Sequence, residues 1–373
     1  MIYLDCAATS LQKPRTVAIA MNNAMANMAS PGRGCHRPAM LAADCVLDCR
    51  MRLASYFNVS EPENVIFTFN ATHALNIAIN SLVKPGDSVV ISGYEHNAVV
   101  RPLAALNAKV RVAASPLFEP KLALAAFRQA LPGAKCAVCT HVSNVFGYIL
   151  PIDEISALCR KMGVPLIIDA SQSAGALPID FKALDAAFIA MPGHKSLLGP
   201  QGTGVLLCNR PTKPLLFGGT GGNSATKLMP DYLPDRLEAG THNVAGIAGL
   251  AEGVKFVMSR PNGTILAHER GVCSEFAGRL QGFSGLRLYY SGGSPNQTGL
   301  VSAVCDKMGC DELAEKLGRA GVCVRAGLHC APCAHETVGT METGTVRFSF
   351  SPFITPADAG FAAETVKKVL NNV

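Results

Sequence analysis

The chain has 373 residues, of which 49% are hydrophobic and 16% charged, and a formal net charge of +6. That length exceeds the ~100–200 residues of a usual domain, so two domains sharing a large core are expected; no stretch reaches the ~18 consecutive apolar residues of a membrane span, and the basic residues form no block, which argues against nucleic acid and fits an anionic cofactor or an acidic partner. Met1 to Ser10 has neither a basic leader nor an apolar signal core, so a cytoplasmic protein with its fourteen cysteines reduced is expected.

In chain order, Val65 to Phe69, Ser88 to Ser92, Lys109 to Ala113, Cys136 to His141, Val164 to Asp169, Ala186 to Ala190 and Gly204 to Leu207 read as short apolar strands. Ala74 to Leu82, Lys121 to Leu131 and Ile152 to Met162 read as helices between them. Such repetition predicts an α/β domain with a mostly parallel sheet. After Asn243 a helical run extends to Met258, Pro261-Asn262-Gly263 interrupts it, and helical spacing resumes from Ile265 to Leu280. Strand candidates Leu286 to Tyr290, Leu300 to Val304, Val322 to Arg325 and Thr345 to Phe350, interleaved with helical stretches, indicate a smaller α/β domain. The expected division is 1–245 and 246–373, with residues 1–15 packing near the active site.

Lys195, in Met191-Pro192-Gly193-His194-Lys195-Ser196, follows Asp169 by 26 positions. Asp169 ends the apolar run Val164-Pro165-Leu166-Ile167-Ile168, which reads as a central parallel strand, and ligands in such sheets sit at the carboxyl ends of strands. The pair suits pyridoxal phosphate, whose pyridine nitrogen stays protonated beside a buried carboxylate and whose aldehyde is held covalently by an amine. A lone lysine in a Gly-rich loop is ordinarily a solvated charge; the surrounding constellation outweighs that reading.

Tyr3-Leu4-Asp5-Cys6-Ala7-Ala8-Thr9, Glu95-His96-Asn97-Ala98, His141-Val142-Ser143-Asn144-Val145-Phe146-Gly147, Gly193-His194-Lys195, Glu238-Ala239-Gly240-Thr241 and Arg325-Ala326-Gly327-Leu328-His329-Cys330 occur in that order. In this the chain resembles the class V aminotransferase-fold enzymes, and within them the cysteine desulfurases and selenocysteine lyases. The resemblance spans nearly the whole chain. It implies fold type I of pyridoxal-phosphate enzymes, with a large domain built on a mostly parallel sheet and a smaller C-terminal α/β domain.

The resemblance also implies roles, each with an ordinary structural alternative. Thr72, by its hydroxyl, and His73, by its backbone N–H, would hold the phosphate where a helix opens after the strand Val65 to Phe69, although Thr72 equally suits a plain helix cap. His194 would be a further phosphate ligand; Pro192 stands where many relatives carry a serine and offers no donor. His96 would stack on the pyridine face and relay protons. Asn144 and Gln172 would bond the phenolic oxygen, with Asn144 also near substrate. Arg347, with Arg325, would bind the substrate carboxylate, and Thr241 would reach the phosphate of a neighbouring subunit in a homodimer.

Cys330 would be the nucleophile that takes sulfur from L-cysteine as a persulfide, with Arg325 and His329 supplying the positive field that favours a thiolate. Leu328 stands where relatives often have a second histidine. Cys330-Ala331-Pro332-Cys333 is also a Cys-x-x-Cys; apart from His335 no further Cys or His pair lies near enough to complete the usual four ligands of a zinc site, so no metal is expected. Cys333 is instead placed to resolve the persulfide as a disulfide. The implied function is cysteine desulfuration, with a sulfur-acceptor protein or thiol as partner. A lyase acting on selenocysteine or another β-substituted amino acid is the alternative, and a non-catalytic sulfur or metal carrier a remote one that has no need of Lys195.

Overall fold

The computed structural model describes residues 1–372 except 33 and 223. Strand β1 (Ile2–Tyr3) is followed by helices α1 (Arg15–Asn27) and α2 (Arg37–Phe57). Strands and helices then alternate: β2 (Val65–Thr68), α3 (Ala71–Leu82), β3 (Ser88–Ser92), α4 (Asn97–Ala105), β4 (Lys109–Ala113), α5 (Pro120–Ala130), β5 (Cys136–Thr140), α6 (Ile152–Lys161), β6 (Leu166–Asp169), α7 (Phe181–Leu184), β7 (Phe188–Pro192) and β8 (Gly204–Cys208). The C-terminal part contains α8 (Val244–Met258), α9 (Thr264–Leu280), β9 (Leu286–Tyr289), β10 (Leu300–Cys305), α10 (Cys310–Arg319), β11 (Val322–Cys323), β12 (Arg325–Gly327), α11 (Pro332–Val338), β13 (Thr345–Ser349) and α12 (Pro356–Asn371).

A seven-stranded sheet runs in the order β2-β8-β7-β6-β5-β3-β4. Pairings within β7-β6-β5-β3-β4 are parallel, and β8 runs antiparallel to both of its neighbours. Every residue of β2, β5, β6, β7 and β8 is buried, which is why their sequences are continuous apolar runs without alternation. The carboxyl ends of β3, β5, β6 and β7 open on one edge of the sheet, bringing the loops after Ser92, Thr140 and Asp169 together with the segment after Pro192.

A second sheet, β12-β13-β10-β9, is antiparallel throughout. The N-terminal segment joins it. Strand β1 pairs with β11, the Leu4 carbonyl accepts from Ser349 N at 2.8 Å, and Leu4 is buried in the core between this sheet and α9 and α12. The stretch Val322 to Arg325, expected as one strand, changes partner at Val324: β11 pairs with β1 and β12 with β13. Helix α8 packs against α1 and α2, and its Ile247, Leu250, Ala251 and Val254 enter the core of the large sheet.

Candidate active site

A single cleft at the carboxyl edge of the large sheet is lined by Thr72, His96, Asn144, Asp169, Gln172, His194, Lys195, Arg325 and Arg347, with Ala7, Ala8, Ser171, Pro192 and His329. These side chains come from eight separate stretches of chain. The structure brings together nearly all the residues singled out in the sequence, leaves His73 and Thr241 outside, and sets Cys330 beside the cleft, next to the lining residues His329 and Arg325.

Asp169, the last residue of β6, is buried at 2% exposure, and its Oδ1 accepts from Ser171 N at 2.9 Å. Its Oδ2 takes no hydrogen bond from the described residues, so a buried carboxylate has one oxygen left for a ligand. Lys195 stands in the loop after β7, and its pKa is lowered to about 8, chiefly by burial and further by the Arg347 and Arg325 charges, while Asp169 opposes the fall. An amine of that kind is partly neutral near physiological pH and can act as a nucleophile. These two groups fit a protonated pyridine nitrogen and an aldehyde carbon.

His96 caps α4: its Nδ1 accepts from Ala98 N at 3.0 Å, which leaves Nε2 carrying the proton. Burial pushes its pKa down to about 4, so the ring is neutral and suits a stacking role. His194, with a pKa lowered to about 4 by burial and the neighbouring lysine charges, has Nδ1 3.1 Å from the Thr9 hydroxyl. The helix that opens at Ala71 is capped by Asn70, whose Oδ1 accepts from His73 N at 2.9 Å. The His73 N–H expected at the phosphate is therefore already occupied, and its ring stacks on Phe69 with 4.8 Å between centroids, away from the cleft. The Thr72 hydroxyl has no partner among the described residues. Asn70 went unnoticed in the sequence; an asparagine at a strand-to-helix junction, three residues before the N–H it binds, is the signal for a cap.

Arg325 and Arg347 are cross-strand partners on β12 and β13, so their guanidinium groups lie on the same face. Arg347 is 1% exposed. Its Nη2 donates to Asp5 Oδ1 at 2.7 Å and its Nη1 to the Asn144 carbonyl at 2.9 Å, while Nε is buried without a partner. Asp5 thus orients the arginine, a job the sequence motif contained without showing. The Asn144 amide donates to the His329 carbonyl at 2.8 Å, and Gln172 Nε2 to the Ala7 carbonyl at 2.9 Å. Both side chains border the cleft, each with a nitrogen already committed to the backbone.

Cys330 is exposed at the rim, with Arg325 Nη2 3.7 Å from its sulfur. His329, expected to add positive charge, does not. Its Nε2 lies 3.1 Å from both the carbonyl and the hydroxyl of Thr345, and burial with the nearby Arg347, His335 and Arg325 charges pushes its pKa far below the usual range. The imidazole is neutral, and the field at the thiol comes from Arg325. His329 and Cys330 both adopt left-handed backbone, at φ 48° and 57°. Such angles in non-glycine residues persist where surroundings hold them; here the Asn144 amide grips the His329 carbonyl and Asn97 N donates to the Cys330 carbonyl at 2.7 Å. Cys333, three residues on, is buried.

Thr241 is exposed in a separate depression with Arg50, Glu238 and His242. Glu238 there receives two bonds from Arg50, at 2.9 and 2.8 Å, and one from Phe67 N at 2.7 Å. Among the described residues no group of His, Cys, Asp and Glu side chains could hold a metal ion, and no helix is long and apolar enough to cross a membrane.

Residues 2–359 match the family described as aminotransferase class-V. A probable cysteine desulfurase of Methanothermobacter thermautotrophicus is 30% identical over 99% of this chain and 94% of its own. One of Pyrococcus abyssi is 32% identical over 94% and 89% respectively. The apo structure of the cysteine desulfurase from Thermococcus onnurineus superposes with a TM-score of 0.92 at 28% identity, covering 100% of this chain and 95% of that one. The expected α/β architecture, with its mostly parallel central sheet, is that of these fold type I enzymes. A likeness that runs almost from end to end, in a chain whose strand-end carboxylate, loop lysine and imidazole converge on one cleft, places it in the class V aminotransferase family.

Proposed function

We propose that this protein is a pyridoxal-phosphate-dependent cysteine desulfurase that converts L-cysteine to L-alanine and retains the sulfur as a persulfide on Cys330. The observation that carries the reading is the exposed Cys330 thiol beside Arg325, at the rim of the cleft that contains Lys195 and Asp169. When bound, pyridoxal phosphate supplies an electron sink for bonds at the substrate Cα.

The chain's own residues do the rest. Lys195 holds the cofactor and, as a neutral amine, takes and returns the proton at the substrate Cα. Asp169, through its free oxygen, would keep the pyridine nitrogen protonated, and the neutral His96 imidazole would supply a flat surface for the ring. Thr72 and His194 would hold the phosphate, whereas His73 supports the helix opening through its N–H bond to Asn70. Gln172 and Asn144 would bond the phenolic oxygen. Arg347, steadied by Asp5, binds the substrate carboxylate through its remaining N–H groups together with Arg325. The Cys330 thiolate then attacks the sulfur of the bound cysteine; the S–S bond forms as the Cβ–S bond breaks, and protonation of Cβ gives alanine.

Thr241, exposed and away from its own cleft, fits a role at the phosphate of a second subunit in a homodimer. The sulfur leaves for an acceptor protein or small thiol in the cytoplasm. The packing of α8 supports a large unit that extends from the first core to the turn at Pro261, with the second unit beginning there.

Cys330→Ala tests the reading. It should abolish persulfide and alanine formation while the cofactor absorbance persists. Rapid alkylation within the first turnover, followed by peptide mass, should find the extra sulfur on Cys330 in the wild type. Sulfur on Cys333 instead, or normal turnover in Cys330→Ala, would overturn the nucleophile assignment.

A further inference from the structure

We infer that Cys330 and Cys333 form a thiol–disulfide couple in which the Cys333 thiol displaces the persulfide sulfur as hydrosulfide and Glu95 takes the thiol proton. The inference rests on the desulfurase reading and adds an exit for sulfur that needs no acceptor protein.

Residues 330–337 are fastened at both ends. Asn97 N donates to the Cys330 carbonyl at 2.7 Å, and Thr337 Oγ1 donates to the Gly93 carbonyl at 2.8 Å. Both bonds go to the loop between β3 and α4. Gly93 has no room for a side chain, since a Cβ there would lie 2.6 Å from Thr337 Oγ1. Two short segments tied at both ends place their middles against each other: Glu95 lies midway along 93–97, and Cys333 midway along 330–337. Glu95 is fully buried. Its Oε1 accepts from Ser92 Oγ at 2.5 Å and Thr140 N at 2.7 Å, but Oε2 is buried with no partner. Burial pushes the Glu95 carboxyl up to about 8, so a minority of molecules carry it ionised near neutral pH and most do above pH 8; in that form its orphaned oxygen accepts a thiol proton.

The two cysteines differ in the way such a couple requires. Cys330 is exposed, and Cys333 is buried among the apolar residues that flank α3 and α4. Burial, with Glu336 and Glu95, pushes the Cys333 thiol up to about 11. It is therefore seldom a thiolate near neutral pH, and its attack needs an acceptor for the proton already in place. Cys330 immediately precedes the N-cap of α11 and Cys333 lies in its first turn, and a disulfide between them needs their Cα atoms roughly 4.4–6.8 Å apart.

The step balances. Cys333 sulfur attacks Cys330 Sγ, the Cys330–Cys333 bond forms, and the bond from Sγ to the terminal sulfur breaks. The terminal sulfur leaves with the electron pair as hydrosulfide, reduced by two electrons, while the cysteine pair is oxidised by two. The Cys333 proton passes to Glu95. A dithiol reductant reopens the couple.

Two measurements on the holoenzyme test this. In graded mixtures of reduced and oxidised dithiothreitol, peptide mass should show Cys330 and Cys333 joining to each other, and Cys333→Ser should abolish that bridge. In a single turnover of reduced enzyme with L-cysteine and no added thiol, the wild type should release hydrosulfide together with alanine and end with the bridge. Cys333→Ser should release alanine yet keep the extra sulfur on Cys330 until thiol is added. Glu95→Gln should slow bridge formation roughly 100-fold relative to alanine formation. Failure of the bridge in the redox mixtures, or a wild-type persulfide as long-lived as that of Cys333→Ser, would overturn the couple while the desulfurase reading stands. Absence of alanine and persulfide from the wild type would overturn that reading, and the displacement step with it. Bridge formation at the wild-type rate in Glu95→Gln would remove Glu95 from the proposal.

Discussion

The Asp5–Arg347 pair links the first residues of the chain to the substrate arginine, and its removal has a calculable effect. Arg347 is 1% exposed and the Asp5 side chain 20%, with Nη2 and Oδ1 2.7 Å apart. Removing one partner of a buried pair costs about 3–5 kcal/mol, because a charge is left without compensation. Asp5 is partly wet, and Nη1 retains the Asn144 carbonyl at 2.9 Å, so Asp5→Ala should fall at the low end, about 3 kcal/mol. Asp5→Asn keeps an acceptor oxygen without the charge and should cost about half as much. The double variant Asp5→Ala with Arg347→Met should recover to within about 1 kcal/mol of wild type, since no buried charge remains. Urea denaturation followed by circular dichroism measures all three, and the KM for L-cysteine should rise in the order wild type, Asp5→Asn, Asp5→Ala. Stability of Asp5→Ala within ~0.5 kcal/mol of wild type, or a double variant no more stable than the single, would refute the view that Asp5 chiefly compensates Arg347.

With its folded pKa at about 8, below the ordinary value near ~10.4, Lys195 loses its proton in the native state before it does in the unfolded chain. Its contribution to stability therefore rises with pH between those values, and capture of pyridoxal phosphate by apo protein should reach half its plateau rate near pH 8; a half-rise near 10.4 would contradict the burial argument. Asp169→Asn should bind some cofactor but lose roughly 100-fold or more in turnover, and an unchanged rate would place Asp169 outside the chemistry. Mixing Lys195→Ala with Thr241→Ala subunits should restore activity if sites are shared across a dimer. No recovery, or a fully active monomer by light scattering, would remove Thr241 from the site.

Several elements could be read from neighbouring residues alone. Ser88–Ser92 and Lys109–Ala113 are strands at the bounds their apolar runs indicate, and Val164 to Asp169 ends in the carboxylate that a ligand at a strand terminus requires. The loop lysine and the imidazole after β3 were equally legible, because each sits at a strand end whose position a local pattern defines. What remained hidden depended on partners far along the chain. Arg347 meets Asp5 across 342 positions, and the Asn144 amide is committed to the His329 carbonyl across 185. His329 looks in sequence like a charge beside a nucleophile, yet burial beside two arginines makes it neutral. Val322 to Arg325 reads as one strand but is divided between β1 and β13, and α8, though it opens the C-terminal part, packs into the first core. Apolar periodicity acts over a few residues and determines which segments become helices and strands. Desolvation, ion pairing and the allocation of each N–H and carbonyl depend on what the folded chain brings within a few ångströms, and only the tertiary structure decides that.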